Sequence, residues 1–148
     1  MKDEIAQALN QALGALLARD AEILKADVNE RTISHRLAGY LEPYFSGWNV
    51  DCEYNRNHDD PKRLKIPRRK VPNDDTQART VFPDIIVHKR GTDENLLVIE
   101  MKKTTSQETD DFDLHKLKAF RDQLGYKYAV FVKVRTDAEP AIETINWV

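Results

Sequence analysis

The chain has 148 residues, of which 41% are hydrophobic and 32% charged, and its formal net charge is −2. That length fits one domain spanning residues 1–148, and the near balance of charge means that any nucleic-acid contact must come from a local basic patch. The single cysteine, Cys52, excludes an internal disulfide framework and a cysteine-built zinc site.

Met1-Lys2-Asp3-Glu4 places acids where a secretory signal has only basic residues, and no apolar run approaches membrane-spanning length. The expectation is a cytoplasmic protein without membrane contact, which suits a lone thiol in a reducing compartment. Ile5, Leu9, Leu13, Leu16 and Leu17 recur at helical spacing and predict a helix over residues 2–18. Ile33, Leu37, Tyr40, Leu41 and Tyr44 predict a second over 29–45, capped by Asp27 or Asn29. The period then changes to two: Trp48, Val50, Cys52 and Tyr54 alternate with polar residues, as in a half-buried strand.

Residues 55–80 show no apolar period and read as a long loop. Residues 81–88 and 96–102 read as strands of a hairpin around the turn residues 90–94. A third helix is predicted over 110–124, with Gly125 as its stop. A last strand is predicted over 126–134, and a short strand or helix near 142–148. The fold class expected is α/β or α+β, with a mixed sheet flanked by helices.

A five-residue turn sets the hairpin register. Ile86 then faces Val98, His88 faces Leu96, and Asp84 faces Glu100, with Lys102 on the same face because side chains alternate along a strand. Opposed carboxylates are costly unless positive charge lies between them. A hard divalent cation such as Mg²⁺ would supply it, with the Met101 carbonyl as a further oxygen ligand. Lys102 could then reach a metal-bound water or a substrate phosphate. This donor set suits phosphodiester hydrolysis. The plainer alternative is a solvated Glu-x-Lys pair on an exposed strand.

Val81-Phe82-Pro83-Asp84-Ile85-Ile86-Val87, followed by Leu97-Val98-Ile99-Glu100-Met101-Lys102-Lys103, resembles the PD-(D/E)xK nuclease superfamily. That resemblance implies a restriction-endonuclease-like αβββαβ core, matched by the element order over residues 29–134, with an extra N-terminal helix. It implies a small stand-alone prokaryotic nuclease that uses Mg²⁺ or Mn²⁺ on DNA, in defence, repair or recombination. Asp84, Glu100 and Lys102 are the catalytic residues it points to. The superfamily often adds an acid from the helix before the first strand, and Glu30 matches. Glu30 also heads the stripe of Ile33, Leu37 and Leu41. It is therefore expected as a fourth catalytic and metal-binding residue, although an acid at a helix start also has a simple dipole explanation.

Other residues have two readings. His35 and Arg36 follow on the same helix, with surface placement the simpler account. Asp51 and Glu53 read as a solvated strand face. Asp113 and Lys116 read first as an ion pair along the third helix, with Lys116 also a candidate phosphate contact. The run Lys62-Arg63-Leu64-Lys65-Ile66-Pro67-Arg68-Arg69-Lys70 has six cations and no acid, and Arg56 precedes it. Its cations are expected to neutralise phosphates without reading bases. Cutting both strands of a duplex would call for a homodimer. The competing functions are a non-catalytic nucleic-acid-binding module on the same fold and a regulatory subunit of a larger defence or repair assembly.

Overall fold

The computed structural model describes residues 1–54 and 82–148 in full and, between them, the main chain of two strands. The leucine stripe of the first segment folds as helix α1, Lys2–Arg19, and buries Ile5, Leu9, Leu13 and Leu16. A short helix that the sequence did not announce, α2, follows at Ala21–Lys25. Asn29 rather than Asp27 caps α3, Glu30–Leu41, by accepting a hydrogen bond from Thr32 N at 2.8 Å. The helix ends at Leu41, not at residue 45. Pro43 has no N–H to continue the ladder, and Glu42–Tyr44 form a tighter 3-10 turn instead.

Strand β1, Asn49–Cys52, is followed by a feature that corrects the long-loop expectation. Arg63–Pro67 (β2) and Thr76–Thr80 (β3) pair antiparallel as a separate hairpin, and this hairpin lies alongside the third long helix. In the sequence, Arg63-Leu64-Lys65-Ile66 does alternate cation and aliphatic, a period of two that the surrounding charge obscures.

Strands β4 (Ile85–His88), β5 (Asn95–Lys103), β6 (Tyr128–Arg135) and β7 (Ala141–Trp147) complete a five-stranded sheet in the order β1-β4-β5-β6-β7. β5 and β6 are parallel, and every other pairing is antiparallel, so the sheet is mixed. Helix α4, Asp111–Leu124, joins the parallel pair, and Gly125 closes it at φ +69°, the left-handed cap that glycine adopts without strain.

Each face of the sheet carries its own core. On one, α1 and α3 cover Ile85, Val87, Leu97, Ile99, Met101, Val130, Val132 and Val134. On the other, Leu117 and Phe120 of α4 pack on Ile86, Val98, Ala129 and Phe131. Alternation along β5 therefore sends Met101 toward α1 and α3, and Glu100 and Lys102 toward α4. Among the described residues, no helix is long and apolar enough to cross a membrane.

Candidate functional site

The register at the middle of the hairpin is the one the five-residue turn predicts, with Ile86 opposite Val98. Nearer the turn it slips, because His88 faces Asn95 instead of Leu96. Asn95 is buried and its amide donates to the Leu124 carbonyl at 2.8 Å, which ties β5 to the end of α4. The displaced residue forms a bulge that lets two consecutive leucines, Leu96 and Leu97, both lie inside.

At the other end, β4 begins one residue after Asp84. The main-chain ladder is continued there by carboxylates. Asp84 N donates to Glu100 Oε2 at 2.7 Å, and Met101 N donates to Asp84 Oδ2 at 2.7 Å. Met101 thus meets the site through its main chain alone. The two acids sit side by side beneath α4, with the Glu100 side chain only 1% exposed.

Helix α4 supplies the counter-charges. Lys116 Nζ lies 2.5 Å from Glu100 Oε1 and donates to the Phe82 carbonyl at 2.6 Å. Lys102 Nζ lies 2.6 Å from Asp113 Oδ2, donates to the Thr109 carbonyl at 2.6 Å, and is 3.7 Å from Asp110 Oδ1. The Asp113 contact is a close ion pair rather than a well-directed hydrogen bond. The expected Asp113–Lys116 pairing along the helix is thus replaced by two crossed pairs with β5. An i, i+3 spacing permits either arrangement, and the docking of α4 on the sheet decides between them.

Burial dominates the electrostatics. It pushes the Asp84 carboxyl well above the usual carboxylate range, and the Glu100 charge adds to this, while Lys116 and the Met101 N–H pull the other way. Burial likewise raises Glu100, with Lys116 opposing. Burial works against the charge on Lys116, but Glu100 and Asp84 outweigh it and hold the ammonium above its ordinary value. Five ionisable groups within a small core are costly to keep, and such clusters concentrate at functional sites.

The structure does not bring Glu30 to these acids. Its Oε2 accepts a hydrogen bond from Lys103 N at 2.8 Å, in the layer of α3, Ile33 and Met101. The stripe reading was right about orientation, since Ile33, Leu37 and Leu41 are all buried. It could not say which face of the sheet the stripe covers. The acid closes a main-chain donor at the end of β5 instead.

His35 is exposed. Arg36 is held by Asp20 Oδ2 at 3.1 Å and by the Tyr40 hydroxyl at 2.8 Å. Asp51 is not solvated, because it takes His88 Nε2 at 2.7 Å and two bonds from Arg90. Glu53 pairs with Arg31 at 3.1 Å on the surface. A cleft of about 630 Å³ lies beside α3 and β1, lined by Arg19, Arg36, Tyr40 and Cys52, and contains none of the site residues named above. Burial pushes the Cys52 thiol up to about 11, with nearby acids adding to it, so it is a poor nucleophile at neutral pH.

Of the basic run, Arg63 and Lys65 fall on β2, whose hairpin runs beside α4. Arg56, Lys62, Arg68, Arg69 and Lys70 lie outside the described residues. The residues that sequence reasoning undervalued are Asp113, Asp110 and the Phe82 carbonyl. The acids at the start of α4 were visible, but acids are common at helix starts for dipole reasons.

The donor set can be tested against a divalent cation. Among the described residues, no group of three or more His, Cys, Asp or Glu side chains is placed to hold a metal ion. Mg²⁺ typically takes one or two carboxylates and keeps several waters. Two adjacent acids, one paired with an ammonium and the other within reach of its charge, fit that demand in oxygen chemistry and in charge.

No family model matches the chain, and comparisons with curated proteins and with solved structures give no match.

Proposed function

We propose that the chain is a divalent-metal-dependent nuclease of the PD-(D/E)xK type, with a restriction-endonuclease-like core, that hydrolyses phosphodiester bonds in DNA. The observation that carries this reading is the reciprocal Asp84–Glu100 arrangement, with Lys102 on the same buried face. The order of α3, β1, β4, β5, α4 and β6 supports it, being αβββαβ with the β2–β3 hairpin inserted. In this reading the protein works in the cytoplasm.

Asp84 and Glu100 would hold Mg²⁺ or Mn²⁺, with Met101 contributing its main chain. The bound ion would lower the pKa of a water and offset charge on the phosphate. Lys102 stabilises the growing negative charge on the phosphate once its ammonium turns from Asp113. Arg63 and Lys65 belong to β2, which runs beside α4, and phosphate contacts from this strand would be salt-dependent. Glu30 has a positioning role, holding the end of β5 through Lys103 N.

The test is turnover. Purified protein is incubated with single- and double-stranded DNA and RNA in Mg²⁺ or Mn²⁺. Metal-dependent cleavage is expected, lowered by about 10²–10³-fold in Lys102→Ala, the usual loss for one charge-stabilising donor. No cleavage of any substrate, or cleavage unchanged by Lys102→Ala, would overturn the proposal.

The second reading is a non-catalytic nucleic-acid-binding or regulatory module on the same fold. One observation favours it: both ammonium groups at the site are neutralised from within, Lys116 by Glu100 and Lys102 by Asp113. It predicts salt-dependent nucleic-acid binding that metal does not alter.

A further inference from the structure

We infer that Lys116 is a displaceable counter-ion built into the metal position, so that a divalent cation enters only by expelling its ammonium from Glu100. The inference rests on the metal-site reading above.

Three observations carry it. The first is position. Lys116 Nζ touches Glu100 Oε1 on β5 and the Phe82 carbonyl, which lies two residues before Asp84. It bridges the two segments that supply the acids, as a cation between them must. The second is commitment of the oxygens. Glu100 Oε2 already accepts from Asp84 N, and Asp84 Oδ2 accepts from Met101 N. Oε1 is the oxygen of Glu100 with no main-chain donor among the described residues, the freer of the two for a metal, and Lys116 holds it. The third is burial. The Lys116 side chain is 11% exposed and Glu100 1%, so the pair is shielded from water. An ammonium and a divalent ion repel strongly in such surroundings, and here they compete for the same oxygen, Glu100 Oε1.

The same helix treats Lys102 alike. Asp113, one turn before Lys116, holds Lys102 by an ion pair. α4 therefore offers a cation to the acid of β5 and an acid to its cation. The site is self-satisfied until a metal takes the place of Lys116 and a phosphate takes the place of Asp113. Lysine suits this role because its charge is compact and carried on a flexible stem that can swing aside.

The probe is Mn²⁺ alone, titrated calorimetrically into wild-type protein and Lys116→Met. The variant keeps the apolar stem and removes the competing charge. It is expected to bind Mn²⁺ at least tenfold more tightly than wild type. Equal or weaker binding by the variant, with wild type still binding, overturns the inference and leaves the metal-site reading standing. Absence of binding by both proteins removes that reading and the inference with it. A second measurement needs no variant. Acetylation of Lys116 by acetic anhydride, followed by peptide mass spectrometry, should be slow without metal and several-fold faster in saturating Mn²⁺. Exposed Lys118 on the same helix serves as the reference. A Lys116 rate that Mn²⁺ does not raise relative to Lys118 also overturns the inference.

Discussion

Asp84→Asn is expected to stabilise the metal-free protein at neutral pH while abolishing Mn²⁺ binding. The asparagine carbonyl can still accept the Met101 N–H, so the main-chain link at the start of β4 survives. What disappears is a negative charge that burial and Glu100 both disfavour. The folded value of Asp84 is raised above the ordinary carboxylate value, so the folded state retains a proton that the unfolded chain gives up. That contribution to stability is complete below the ordinary carboxylate range. It is lost as pH rises through the raised folded value. Wild type should therefore lose stability over this interval, by about 1.4 kcal/mol for each unit of elevation. Asp84→Asn should lack that part of the slope. Urea unfolding at a series of pH values measures both. A variant less stable than wild type at pH 7, or one with the same pH slope, would show that Asp84 is not held against its own charge. A gain in stability coupled to lost function is the pattern expected at a binding site rather than at a structural ion pair.

Glu100→Ala is expected to have the opposite sign and the largest effect on the fold. It removes the partner of Lys116 and the acceptor of Asp84 N in one step. Truncating one member of a buried pair costs about 3–5 kcal/mol, because the surviving charge stays desolvated. The double variant Glu100→Gln, Lys116→Met carries no such charge, and should recover at least half of that loss. Denaturant unfolding of the single and double variants gives the coupling directly. A loss below about 1 kcal/mol in Glu100→Ala would mean that Lys116 finds water or Asp84 with little penalty.

The sequence was most informative where periodicity and burial agree. The α1 stripe, the α3 stripe and the alternation in β5 all lie inward as their spacing predicts. Ile86 lies opposite Val98 as expected, although the slip beside the turn had to be offset by the bulge at Leu96 to keep that register, and it puts Asp84, Glu100 and Lys102 on one face. What stayed hidden depended on long-range packing. No local signal reports that Asn95 would anchor to the end of α4 and shift the register by one. No spacing along α3 reveals that Glu30 heads a stripe over the far face of the sheet, where Lys103 N needs an acceptor. Asp113 and Lys116 were read within their helix, because only the docked helix shows that their partners are Lys102 and Glu100. The β2–β3 hairpin was masked by its charge, which overwhelmed a two-residue alternation only four residues long.

The most direct measurement is a crystal structure in Mn²⁺, read by its anomalous difference map. The account predicts a peak between the carboxylates of Asp84 and Glu100, with Lys116 turned away from Glu100. A map with no peak at those two carboxylates, in crystals whose soak saturates every other metal-binding acid, would contradict it.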